Sequence, residues 1–281
     1  MTEKSPNRST TGVQISKEQQ PQLSALRHPL EGIFNVFYFN WPKYIFAGIF
    51  SYVFIVLWMM QANTTLKALF LGLALILFFW TLVSLLVSFF IYDLSGLYKY
   101  NWLLRSQKTA PVNVLNLHAG FDESSQALQI LFPNASLEVF DFYPGITNTE
   151  PSIEMARAAA ESKSQDSDSK VIEPVPVSLS DWKLPDGSQD LVLLFMSAHE
   201  VRKPADREKF FSEIHRVLKG SGQCILVEHQ RDAANFLAFG PGFLHFHPRA
   251  EWLRLTKNCG FEVKEEKLIT PFVKVFYLCK T

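Results

Sequence analysis

Gln189-Asp-Leu-Val-Leu-Leu-Phe-Met196, then the amphipathic run Pro204 to Leu218, the turn Lys219-Gly-Ser-Gly222 and Gln223-Cys-Ile-Leu-Val-Glu228 decide the fold. Two short, nearly continuous apolar runs separated by a segment of helical period are the pattern of a strand, a crossover helix and a parallel strand buried on both faces. The same alternation extends backwards. Pro111 to Leu117 reads as a first strand, Asp122 to Phe132 as a helix capped by Asp122, Leu137 to Asp141 as a second strand, Glu154 to Ala160 as a helix and Val175 to Leu179 as a third strand. It also extends forwards, through a helix from Pro248 to Cys259 stopped by Gly260. Phe261–Leu268 then faces Phe272–Cys279 across a turn containing Pro271, as an antiparallel hairpin. Repeated βα units closed by a hairpin predict an α/β, Rossmann-like sheet over residues 111–281. Ser162 to Ser169 reads as a surface insertion.

The N-terminal third has a different composition. No Asp, Glu, Lys, Arg or His occurs from Tyr44 through Leu66, nor, after Lys67, from Ala68 through Tyr92. Each stretch exceeds the roughly 20 residues needed to cross a hydrocarbon core. Residues 41–92 therefore read as a transmembrane helical hairpin turning at Gln61 to Thr65, preceded by a flexible polar tail over 1–40 and followed by an interfacial linker over 93–110. In that linker Leu94, Leu97, Tyr98, Trp102 and Leu103 could share one apolar side, with Lys99 and Arg105 toward water. Lys4, Arg8, Lys17, Arg27 and Lys43 before the first span, and Lys99, Arg105 and Lys108 after the second, predict a two-span membrane protein with both termini cytoplasmic.

With 27 basic and 27 acidic side chains the chain lacks the cationic surplus of a phosphate-binding surface, so no nucleic-acid partner is expected. Cys224, Cys259 and Cys279 form no paired motif, which gives no disulfide framework or metal knuckle.

Open parallel sheets bind ligands beyond the carboxyl ends of their strands, near the point where strand order reverses. Those ends supply His118-Ala-Gly120-Phe-Asp122, Asp141-Phe-Tyr143, Ser180-Asp181-Trp182, Ser197-Ala-His199-Glu200 and Glu228-His229-Gln230-Arg231-Asp232. Each has a structural alternative, as helix cap or turn residue. His245 and His247 stand in an aromatic stretch, Asn235 to Pro248, that could form an apolar lid or meet lipid headgroups. The pair could ligate a metal together with His229, but a further ligand is unassigned and no metal is expected.

Leu184 to Phe195, Ala198-His199-Glu200-Val201 and Glu213-Ile-His-Arg216-Val-Leu-Lys-Gly-Ser-Gly222 resemble the second half of class I S-adenosylmethionine-dependent methyltransferases, closest to the quinone-biosynthesis type. The resemblance spans about residues 110–281 and implies S-adenosylmethionine as cofactor. The family's glycine-rich turn corresponds to Asn116-Leu-His118-Ala-Gly120-Phe-Asp122, where only Gly120 keeps its identity. By resemblance, His118 and Gly120 lie against the methionine part and Asp141 takes the ribose hydroxyls. Asp181 stands in for the adenine-contacting acid, and Met196 lines the cofactor pocket. His199 and His229 are the candidate catalytic bases, His229 preferred because Glu228 and Asp232 flank it. Taken with the membrane spans, this implies a hydrophobic small-molecule acceptor such as a lipid, quinone-like ring, polyene or polyketide, methylated at oxygen, with the bilayer as partner; the oligomeric state is left open. The alternative from another class is a non-catalytic membrane scaffold that keeps the fold and has lost its glycines. A nicotinamide-dependent enzyme fits poorly, because Gly-x-Gly-x-x-Gly is missing after the first strand.

Overall fold

The computed structural model describes residues 13–146, 153–159 and 172–281; the expected insertion Ser162 to Ser169 lies outside them. Seven strands form one sheet in the order β3-β2-β1-β4-β5-β7-β6. These are β1 Asn113–His118, β2 Ser136–Asp141, β3 Val175–Pro176, β4 Gln189–Phe195, β5 Leu218–His229, β6 Phe261–Thr270 and β7 Val273–Lys280. The first five run parallel, and β7 pairs antiparallel with both β5 and β6. The expected hairpin ending is thus present, and the third strand is shorter than expected. Strand order reverses between β1 and β4, so the crevice lies above their carboxyl ends.

Helices cover both sheet faces because β1, β4 and β5 are apolar on both. On one face α7 (Pro204–Val217) and α9 (Arg249–Asn258) bury Phe210, Phe211, Ile214 and Trp252 in one cluster with Val192, Leu194 and Leu226 of the sheet.

On the other face α5 (Ser125–Leu131) and a short helix, α4 (Asn101–Leu104), share a second cluster with Val114, Leu193 and Val227. α5 is shorter than the expected 122–132 because Asp122 stands outside it, its Oδ1 accepting from the amides of Ser124 (3.0 Å) and Ser125 (3.1 Å). The segment expected as an interfacial linker belongs to this core. Leu97 and Leu103 are fully buried, Trp102 stacks on Phe195 with centroids 5.9 Å apart, and Tyr277 Oη donates to the Trp102 carbonyl. Burying these side chains against the sheet removes more apolar area from water than an interfacial position would; only Leu94 of the expected apolar side stays well exposed.

The N-terminal tail is also ordered further than expected. α1 (Gln19–Ala25) docks on α5, where Gln19 Nε2 donates to the Ile130 carbonyl at 2.6 Å. Arg27 pairs with Glu123 at 2.9 Å and lies 3.6 Å over the Tyr98 ring. Two long apolar helices follow, α2 (Glu31–Met60) and α3 (Thr64–Phe89), with Asn63 capping the second. At 1.5 Å per residue the 30 residues of α2 span about 45 Å. α2 begins ten residues before the expected span because Asp93 caps it: its two carboxylate oxygens each accept, at 2.8 Å, from the amides of Gly32 and Ile33. Gly32 permits this approach, since a Cβ there would come within 2.4 Å of Tyr92 Cβ. The hairpin projects from the sheet domain, and Phe46, Phe50, Tyr52, Met59, Phe78 and Phe79 are each more than half exposed.

Candidate active site

β1 and β2 end side by side, with His118 in register with Asp141. Asp141 Oδ1 accepts from the Tyr143 amide at 2.9 Å, and Oδ2 lies 2.8 Å from Arg157 Nη1 on α6 (153–159). Gly120 has φ +82°, a conformation that costs glycine little, and a Cβ there would meet Arg157 and Tyr143 at 3.4 Å. His118 is buried, and neither ring nitrogen has a hydrogen-bond partner among the described residues. Burial lowers its pKa, the nearby Asp122 and Asp141 carboxylates opposing, so the ring is neutral at neutral pH. Asp122 is held by α5 and Asn116, accepting from the Ser125 amide and Asn116 Nδ2.

Met196 follows β4 with φ +54°, its amide bonded to the Val227 carbonyl at 2.9 Å. A non-glycine residue held in this region stores on the order of 1–3 kcal/mol of strain, the kind found where a site over-determines the backbone. Asp181 also has a positive φ, +63°, but it is exposed on the turn after β3 and is not among the cavity-lining residues.

A cavity of about 520 Å³ opens between the apolar hairpin and the carboxyl end of the sheet. Val36, Phe39, Ala47, Leu77 and Trp80 form its hairpin wall, and Met196, Phe239 and Phe246 part of its domain wall. α6 touches both sites: Ala156 lines the cavity while Arg157 reaches Asp141. The aromatic stretch after β5 folds into α8 (Ala233–Phe239) and a 3-10 segment, Gly240–His245, which close the cavity against α3 through a Trp80–Phe236 edge contact.

Polar side chains gather at the sheet end of this apolar space. His199, in a 3-10 turn after β4, has Nδ1 2.6 Å from Glu228 Oε2 and Nε2 3.2 Å from Glu200 Oε1. Burial alone would lower its pKa; the Glu228 and Glu200 carboxylates outweigh burial and raise it to about 10. Glu200 moves the opposite way, burial opposing, because His199 and His245 stabilise its charge. His229 differs from the expected base. Its Nδ1 faces two acceptors, the Phe272 carbonyl at 3.0 Å and Asn235 Oδ1 at 3.1 Å, so Nε2 accepts from Tyr92 Oη at 2.9 Å. Burial pushes its pKa down to about 4, and the ring stacks on Phe246. Both nitrogens are committed, which makes His229 a fastener between hairpin and sheet rather than the proton acceptor the sequence suggested. The preference rested on Glu228 and Asp232; Glu228 turns instead to His199, and Asp232 accepts from Asn235. His245 and His247 also separate: His247 faces Arg207 and Glu251, while His245 Nε2 comes within 3.3 Å of Glu200 Oε1. Sequence reasoning missed Arg157 and the hairpin wall, since neither carries a local motif.

Residues 134–226, about a third of the chain, match the family model described as a methyltransferase domain. The sheet domain has the Rossmann-like methyltransferase fold. Among solved structures, a SAM-dependent methyltransferase from Aquifex aeolicus is 16% identical with a TM-score of 0.44, covering 59% of this chain and 81% of that one. A protein from Pyrococcus horikoshii is 19% identical with a TM-score of 0.44, covering 64% and 86%. A SAM-dependent methyltransferase from Methanosarcina mazei is 15% identical with a TM-score of 0.43, covering 62% and 93%. No curated protein gives a significant match.

Proposed function

We propose that the chain is a membrane-anchored S-adenosylmethionine-dependent methyltransferase acting on a hydrophobic small molecule at oxygen. The observation that carries this reading is the cavity: its walls are apolar and come from the hairpin, and its polar end lies beside the strand ends that bind cofactor in this fold. The exposed apolar surface of α2 and α3 supports a bilayer location, with the sheet domain and both ends of the hairpin on one side.

The residues around β1 and β2 fit the cofactor. Gly120 lets backbone approach closely, the Asp141 carboxylate can accept from both ribose hydroxyls, and His118 offers two buried nitrogens that have no partner among the described residues. Arg157 must turn aside from Asp141 for this contact to form. When bound, S-adenosylmethionine supplies a methyl group already activated on a sulfonium. The protein's part is then positioning and water exclusion. The cavity walls hold an apolar acceptor, and Met196 forms the floor between acceptor and strand ends. His199, anchored by Glu228 and kept protonated by the carboxylates beside it, presents its outer edge and Glu200 to the acceptor's polar group, which they orient by hydrogen bonding.

The test is methyl transfer from labelled S-adenosylmethionine by the detergent-purified protein to a membrane lipid extract. Label in the organic phase, with an increase of about 14 daltons (one methyl replacing one hydrogen) on a lipid-soluble species by mass spectrometry, is expected. Label confined to water-soluble products would overturn the hydrophobic-acceptor reading.

A further inference from the structure

We propose that His199, Glu200 and His245 form a binding site for one divalent cation of the zinc class. They come from two separate segments, the turn after β4 and the 3-10 segment after α8, and their ligand atoms all lie within 4.8 Å of one another. Both imidazole Nε2 atoms approach the same Glu200 oxygen, at 3.2 Å and 3.3 Å. Ligands about 2.0–2.1 Å from a tetrahedral zinc stand roughly 3.3 Å apart, so the two edges that meet at Glu200 already match, the third lying within 4.8 Å. Two imidazoles and a carboxylate favour a borderline cation over magnesium or calcium, which prefer oxygen donors alone.

Two further observations point the same way. Glu228, fully buried, holds His199 Nδ1 at 2.6 Å and accepts from the His199 amide at 3.1 Å. A carboxylate on the far nitrogen of an imidazole orients the ring, and the other nitrogen ligates a metal once the metal displaces its proton. Glu200 Oε2 is buried without a hydrogen-bond partner among the described residues, with the Arg202 guanidinium 3.9 Å away. This charge partner stands beyond hydrogen-bond distance, and a bound cation would offer a closer one. All three side chains line the cavity, which leaves a further coordination position facing the acceptor space, the arrangement of catalytic rather than structural zinc. That position could take an acceptor oxygen, a role that rests on the methyltransferase reading; the cation site itself does not.

Arg202 opposes the site in the present arrangement. Its Nη2 lies 2.9 Å from His245 Nε2 and also contacts Nδ1, competing for the imidazole. Its Nη1 also donates to the His245 carbonyl, so the guanidinium, 22% exposed, must move aside as a cation enters.

The full-length protein, purified in detergent and stripped with chelator, is titrated with zinc chloride by calorimetry, with stoichiometry checked by elemental mass spectrometry. One zinc per chain is expected. H245A and E200Q should each weaken binding by at least about 10-fold in protein that still unfolds cooperatively, and R202Q should tighten it several-fold. No binding, affinity unchanged in H245A and E200Q, or affinity in R202Q equal to or weaker than wild type would overturn the site. Methyl transfer is not the readout, so failure here leaves the enzyme reading standing.

Discussion

Replacing Tyr92 by Phe removes one oxygen from the joint between hairpin and sheet. Tyr92 Oη donates to His229 Nε2 at 2.9 Å, while Nδ1 is committed to Phe272 and Asn235. The variant leaves a buried acceptor without its donor, a loss of about 1–3 kcal/mol, or roughly 2–10 °C in unfolding temperature for a domain of this size. The pH dependence sharpens the test. His229 is held neutral with its pKa pushed down to about 4, below the ordinary value of about 6.5. A histidine depressed in the fold contributes its full stability above the unfolded value and loses it as pH falls from about 6.5 toward 4, on the order of 3 kcal/mol in all. When Nε2 is protonated the Tyr92 hydroxyl can rotate to accept, so the wild type keeps this contact in both states of the ring. Tyr92→Phe should therefore be clearly less stable than the wild type at about pH 7.5, and both proteins should lose stability as pH falls toward about 4.5. Differential scanning fluorimetry in detergent across this range measures both. Equal unfolding temperatures at the upper end, or stability of the wild type that does not fall with pH, would refute the assigned role of His229.

Arg157→Gln should bind S-adenosylmethionine up to about 5-fold more tightly, because a part-exposed ion pair worth about 0.2–1 kcal/mol no longer competes for Asp141; calorimetry reads this directly, and weaker binding would contradict the competition. Gly32→Ala should destabilise the capped start of α2 by about 1–3 kcal/mol, since the added Cβ meets Tyr92 Cβ at 2.4 Å; an unchanged unfolding temperature would contradict that packing. Trp80→Ala should lower methyl transfer to the lipid-soluble acceptor while leaving cofactor affinity within about 2-fold, because Trp80 lines the cavity and packs on Phe236; parallel loss of both would show that the hairpin wall does not act on the acceptor alone.

The sheet was legible because its strands are buried on both faces and its turns carry strong breakers. Gln189–Phe195 and the hairpin of β6 and β7 follow from apolar runs and flanking residues alone. The linker was misread because Leu97, Trp102 and Leu103 have the same amphipathic spacing whether they face lipid or a sheet, and only the tertiary fold decides which. The site divides likewise. His118, Asp141 and His199 stand at strand ends, where fold rules find them. Which histidine Glu228 would choose depends on side-chain direction: successive residues on a strand point to opposite faces, so Glu228 and His229 diverge. Arg157 and the hairpin wall meet the site only through contacts distant in sequence.

Cofactor binding at the ends of β1 and β2 is the central claim, and calorimetric titration of the detergent-purified full-length protein with S-adenosylmethionine tests it most directly. One site per chain is expected, weakened by about 1–3 kcal/mol in Asp141→Ala through loss of a charged hydrogen bond. No heat at high micromolar cofactor, or equal affinity in the variant, would contradict it.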